Sequence, residues 1–266
     1  MPATLPAHQA AVIPLKVLSP HRFDGVALVI GSAAPDLAYV VQGLGIEVRS
    51  HAWHSLIWFS LPVTLVLAVL VRRAAPFVAA HLPAGGPLAI HDYGVLATVR
   101  HPLRVTVLSA LLGAFSHLAW DTFTHPYILI VHPLLGGETH LPAMHGTAIA
   151  GLPWWRVIQL FSEVLGAVVT FATAIHIGRR RLLVAWHGPA PALARRTALF
   201  WSVAGGVTAV LVATALALPG NSLAAPNVIG VRLIVALVAG LLVAAATVAV
   251  AARTPRSAYR TTSGRH

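Results

Sequence analysis

Two stretches, residues 198–218 and 228–252, are almost entirely Ala, Val, Leu and Gly. A helix that is apolar all round has no face to offer water, and runs of this length match the hydrocarbon core of a bilayer. Four further segments, 25–44, 54–71, 103–124 and 154–177, follow the same pattern with a few polar interruptions. Of the 266 residues, 57% are hydrophobic and only 9% charged, whereas soluble domains carry about 25% charged residues. The fold class expected is all-α: a polytopic membrane protein of about six transmembrane helices, the first one interrupted at Pro35-Asp36.

That interruption carries the first chemical signal. Residues 31–36 read GSAAPD inside an apolar run. Proline breaks the helix there, and the break buries an acid. Broken membrane helices are tolerated where they line a site enclosed by protein.

The net charge of +11 at pH 7 is almost all arginine. Strong positive charge can mark a nucleic-acid binder, but here the arginines sit in short clusters between apolar runs. Those before residue 25, between 72 and 104, between 179 and 196, and after 252 fall on one side of a six-span arrangement. The other side holds Arg49 and Arg156. By the positive-inside rule both termini are expected in the cytoplasm, with no nucleic-acid partner. The N-terminus lacks the basic start and apolar core of a cleaved signal.

The chain has no cysteine and 15 histidines, so disulfides and thiolate chemistry are excluded and any metal site must use His and carboxylate. The densest such pattern is 112–126, LGAFSHLAWDTFTHP. His117 and Asp121 are four apart and project from one helix face, one turn above the other. His125 continues that face, although Pro126 disfavours helical geometry at the residue before it. The pair could simply hydrogen-bond each other or a neighbouring helix. Against this stands the company it keeps. Asp36, Asp121 and Glu163 are the acids expected inside apolar spans, and His54 opens the second span at the same outward level as Asp36 and Asp121. Buried carboxylates are costly without a positive partner. Asp36, His54, His117 and Asp121 therefore form a candidate divalent-metal site, suited to zinc and also to manganese or iron. Gln159 and Glu163, one turn apart in the fourth span, are expected to face the helix of His117. His51 reads as part of a polar connection, His81, His91 and His101 as loop residues, and His8 on its own as an exposed group of an interfacial helix. The last two spans read as packing or lipid-facing helices.

The segments GSAAPDLAY, HSLIWFSLP, LGAFSHLAWDTFTHP and QLFSEVLG resemble a bacterial family of multi-pass membrane proteins, the domain-of-unknown-function family 4184, over roughly residues 1–180. That family is similar in pattern to inner-membrane proteins regarded as metal-dependent hydrolases. More distantly, the order His, Pro-Asp, His, Ser-His-x-x-x-Asp is similar to zinc-dependent phospholipase C. The resemblance implies that Asp36, His54, His117 and Asp121 hold one zinc, with Asp121 bridging to a second metal beside His8. It also implies phosphodiester cleavage with metal-activated water. The phospholipase pattern takes later ligands from a His-x-x-x-Glu, which this chain lacks after Asp121; His125, His132 and His140 are unmatched substitutes. If the N-terminus is cytoplasmic, His8 reaches an outward site only if residues 4–18 re-enter the membrane, if the site lies deeper, or if the orientation is reversed.

The expected organisation is a metal-site membrane domain over 1–180, two further apolar spans over 181–252, and a basic, disordered tail over 253–266. The expected function is a hydrolase of the cytoplasmic membrane, acting on a phosphate ester such as a phospholipid. Asp36 or Glu163 would serve as proton acceptor. The alternatives are a non-catalytic membrane scaffold and an ion- or proton-coupled transporter.

Overall fold

The computed structural model describes residues 4–125, 146–221 and 226–253. All regular elements among them are helical. Two short helices, α1 (Thr4–Gln9) and α2 (Ile13–Leu18), lead into α3 (Gly25–Gly31) and a 3-10 helix, Ala34–Val41. A π-helical turn, Leu56–Ser60, runs into α4 (Leu61–His81). A second 3-10 helix covers Ile90–Ala97, followed by α5 (Leu103–Thr124) and α6 (Trp154–Arg179). The chain then forms the short α7 (Leu182–His187) and the long α8 (Thr197–Ala217) and α9 (Pro226–Arg253). Five helical segments are long and apolar enough to cross a membrane: Leu56–His81, Leu103–Thr124, Trp154–Arg179, Thr197–Ala217 and Pro226–Arg253. The chain is an integral membrane protein on this ground.

Residues 25–44 do not form a long helix. The Asp24 carboxylate caps α3 by accepting from Ala27 N–H at 3.2 Å, and α3 ends at Gly31. Pro35 lacks an N–H and disfavours α geometry at Ala34, so the chain resumes as a 3-10 helix. A 3-10 run this long is uncommon and often marks a functional or strained segment.

Three other expectations are corrected. Arg72 and Arg73 do not close the second span. The helix continues through Pro76 to His81, because Arg72 turns inward and donates to Asp24 at 2.5 Å. Nor is the last span without chemistry. Arg232 of α9 is 3% exposed, and it donates to Val40 O at 3.2 Å, Gln42 O at 2.6 Å, Pro219 O at 3.0 Å and Asn221 Oδ1 at 2.8 Å. It thereby satisfies carbonyls at the C-terminal end of the Asp36-bearing 3-10 helix, where a cation is favoured. His81 is no loop residue. It is buried at the end of α4, stacked on Phe200 with centroids 4.5 Å apart, and its Nε2 accepts the Arg196 N–H at 2.9 Å.

The crossing of α3 and α5 is set by glycine. A Cβ at Gly31 would strike the Ala110 carbonyl, and one at Gly113 would strike the Leu28 carbonyl and Ser32 nitrogen. Small residues let membrane helices approach closely. This approach brings the Ser32 carbonyl to His117, one turn beyond Gly113.

The candidate metal centre

His117 is buried at the middle of the structure, and its Nδ1 lies 2.7 Å from the Ser32 carbonyl. A carbonyl only accepts, so Nδ1 carries the proton and Nε2 presents its lone pair. That Nε2 lies 3.2 Å from Asp121 Oδ2 and 3.5 Å from Asp36 Oδ1. A lone pair facing two carboxylate oxygens is repulsive unless a cation or a further proton lies between them. His117 Nε2 and Asp121 Oδ1 are buried without a well-formed hydrogen bond among the described residues.

His51 completes this side. Its Nε2 is 3.3 Å from Asp36 Oδ1 and 3.5 Å from Asp121 Oδ2, while its Nδ1 lies 3.1 Å from Ser50 Oγ. His8 arrives from α1. Its Nε2 is 3.7 Å from Asp121 Oδ1, and its ring stacks on His117 at 3.7 Å between centroids. Ligand atoms of His8, Asp36 and His117, and those of His51, His117 and Asp121, lie within 4.8 Å of one another. Asp121 uses both oxygens, Oδ2 towards His51 and His117, Oδ1 towards His8 and towards His125 Nδ1 at 3.4 Å. Three imidazoles and two carboxylates from four chain segments fit a divalent metal. The Ser32 and Ser50 contacts are of the kind that orient histidines at metal sites.

Asp36, His117, Asp121 and His8 thus come together, and His54 does not. His54 is exposed and stacks on Trp58 with centroids 6.4 Å apart. The residue sequence reasoning missed is His51, three positions earlier. Residues 48–55 form turns rather than the start of a helix: Ser50 N–H donates to Val48 O at 2.8 Å, Ser55 N–H donates to Ala52 O at 2.9 Å, and Ser55 Oγ donates to the Ser50 carbonyl. These bonds aim His51 inward and His54 outward. No local signal separates the two, since Ser50 adjoins His51 and Ser55 adjoins His54.

His8 reaches the site because α1 lies against the middle of α6. A Cβ at Gly166 would sit 2.8 Å from Ala7 Cα, and Thr170 Oγ1 donates to the Pro6 carbonyl at 2.6 Å. His8 is accordingly buried, not exposed. Gly166→Val should push α1 outward at a cost of about 1–3 kcal/mol of overpacking. The expected readout is faster limited proteolysis of residues 4–18 with an unaltered melt of the remaining bundle; unchanged cleavage would mean that the seat of α1 is not at Gly166.

At the rim, His125 is already extended, at φ −129° and ψ 157°, as Pro126 requires. Gln159 is buried and its Nε2 is 3.5 Å from His125 Nε2, with Arg156 Nη1 donating to Gln159 Oε1 at 2.5 Å. Gln159 therefore faces the end of α5. Glu163 is half-buried, and its Oε1 is shielded without a hydrogen-bond partner among the described residues. His132 and His140 lie outside the described residues.

The fold and this centre define an integral membrane protein with a buried His/Asp cluster able to hold a metal. The chain belongs to the family described as a domain of unknown function, DUF4184, whose model matches residues 1–251. The match runs through α8 and most of α9, beyond residue 180, in keeping with the contacts Arg232 makes to the 3-10 helix of Asp36. Neither curated proteins nor solved structures give a match.

Proposed function

We propose that the protein is a metal-dependent hydrolase embedded in the cytoplasmic membrane, acting on a phosphate ester, with phospholipid-like molecules as the substrate class. The observation that carries this reading is the convergence of His8, Asp36, His51, His117 and Asp121, with His117 Nε2 and Asp121 Oδ1 buried and without a hydrogen-bond partner among the described residues. Zinc suits this donor set best, with manganese or iron as alternatives. When bound, such an ion polarises a phosphoryl oxygen and lowers the pKa of water.

The chain's own residues supply the rest. His51 of the cluster also lines, with Ser50, Tyr39, Gln42 and Glu47, a cavity of about 540 Å³, which is the route we assign to substrate and water. Asp36 lies between His51 and His117 and is better placed as a ligand than as a proton acceptor. Glu163, with its free Oε1, is the acceptor we favour. Arg156, already turned towards the site through Gln159, is placed to meet phosphate charge. In this reading the broken α3 and 3-10 segment forms a first, interrupted crossing, and both termini are cytoplasmic.

Hydrolysis of bis(p-nitrophenyl) phosphate and of fluorescent phospholipids by protein reconstituted with zinc or manganese tests the proposal. Glu163→Gln should keep its metal and lose about 10²–10⁴-fold in rate, the range for removing a general base. A metal-replete protein inert towards both substrate types would leave the scaffold or transporter readings. Equal activity in Glu163→Gln would remove Glu163 from the mechanism.

A further inference from the structure

A second hollow lies at the opposite end of α3 and α5 from the metal centre. A cavity of about 330 Å³ is walled by apolar side chains, among them Ile13, Leu28, Val29, Ile177, Leu183 and Trp186. A polar cavity of about 370 Å³ is lined by His21, Arg100, His101 and His187. Val99, His101 and His187 line both, so the two hollows adjoin across a shared wall.

Their charge is one-sided. Lys16, Arg72 and Arg100 border them, and Asp24 is the single acid among the lining residues. Asp24 is already matched by Arg72. Lys16 Nζ, the chain's only lysine, donates to the Phe23 carbonyl at 3.0 Å and to the Pro20 carbonyl, neutral groups that leave its charge uncancelled, and it lies 5.6 Å from the centroid of the Trp186 ring. Arg72 Nε is buried without a partner among the described residues. Arg100 spends Nη1 on the Ala97 and Val99 carbonyls, at 2.6 and 3.2 Å, leaving its other donors for a ligand. Burial, and then the charge of Lys16, hold His187 below its ordinary pKa; burial, Lys16 and Arg72 do the same to His101 despite Asp24. Lys16 and Arg72 in the lining of the apolar chamber, with Arg100 in the adjoining polar hollow, ask for an anion with a hydrocarbon chain.

We propose that these adjoining hollows are a binding site for an anionic membrane phospholipid, with its phosphate against Arg100, His101 and His187 and an acyl chain in the chamber beside Leu28 and Ile177. A soluble phosphate would leave the chamber unused, and a neutral chain would leave the cations unmatched. The site is separate from the metal centre and does not depend on its chemistry.

Competition binding in phosphatidylcholine nanodiscs tests this, with fluorescent phosphatidylglycerol as the probe. Wild type should prefer phosphatidylglycerol over phosphatidylcholine about tenfold, equivalent to about 1.4 kcal/mol. Arg100→Gln, which removes the one permanent cation lining the polar hollow, should lower the preference roughly fivefold without changing the melting temperature. Ala174→Phe, which fills the apolar chamber, should release both lipids. Should Ala174→Phe fail to fold, the charge variant decides by itself. Equal binding of the two lipids by wild type would overturn the proposal. Competition by glycerol 1-phosphate as effective as that by phosphatidylglycerol would also overturn it and point to a soluble anion.

Discussion

Protein purified without chelator is expected to carry a divalent metal, and His117→Ala and Asp121→Ala to carry none. The expectation rests on the orphaned atoms. With Nδ1 committed to the Ser32 carbonyl, His117 has only Nε2 to offer, and Nε2 faces two carboxylates. Elemental analysis of wild type should show roughly one zinc or more per chain, the minimum for a site with this donor set. His51→Ala should lose metal as the other ligand variants do, whereas His54→Ala should keep it, because His54 points outward to Trp58. Ser50→Ala removes the hydrogen bond that orients His51, and the usual cost of such a loss is about 10–100-fold in metal affinity. Metal-free wild type would end the metal reading and return the cluster to a hydrogen-bonded helix junction. Metal retained in His51→Ala but lost in His54→Ala would mean that residues 48–55 are arranged differently in the membrane.

The second large effect is expected far from that centre. Asp24 is 1% exposed and accepts from Arg72 Nη2 at 2.5 Å and from Thr106 Oγ1 at 2.7 Å, while its own N–H donates to Ser109 Oγ at 3.0 Å. It ties α3, α4 and α5 together. Asp24→Ala strands Arg72 and should destabilise the fold by about 3–5 kcal/mol, the range for breaking a buried pair from one side. The double variant Asp24→Leu/Arg72→Leu should recover most of that loss, because no unpaired charge remains. Denaturation in detergent measures all three. A double variant as unstable as Asp24→Ala would show that geometry, not charge pairing, is what Asp24 supplies. Burial opposes the Asp24 carboxylate, but Arg72, Thr106 and the Ala27 N–H outweigh it and hold its pKa below the ordinary value. The pair's contribution is therefore complete above about pH 4 and fades as pH falls through the depressed folded value.

The proposed centre and the Asp24 junction differ in how much of each was legible. For the centre, His117 and Asp121 could be paired from sequence because spacing of four on a helix is a local rule. Asp36 could be added because Pro35 breaks the helix beside it. Between His51 and His54 the decision needed the turn. Both residues sit in one short connection, and only the Ser55 bond to the Ser50 carbonyl determines which ring points inward. Asp24 and Arg72 are separated by forty-eight positions, and each alone looks like a charge at a membrane edge.

Length and apolarity of the runs, the Pro35 break and the Pro126 stop acted within a few residues. The sequence by itself therefore determined an all-helical membrane chain with acids at one level and the helix face of His117 and Asp121. The tertiary structure alone decided what depends on distant backbone groups. The Gly31–Gly113 crossing brings the Ser32 carbonyl to His117. The notch at Gly166 seats α1 and delivers His8. Arg232, the one charge in a span that read as packing or lipid-facing, closes the carbonyl end of the helix that holds Asp36. A carbonyl has no sequence signature, and a glycine's missing Cβ matters only when a particular neighbour fills its place. These long-range bonds could be found only once the helices were packed.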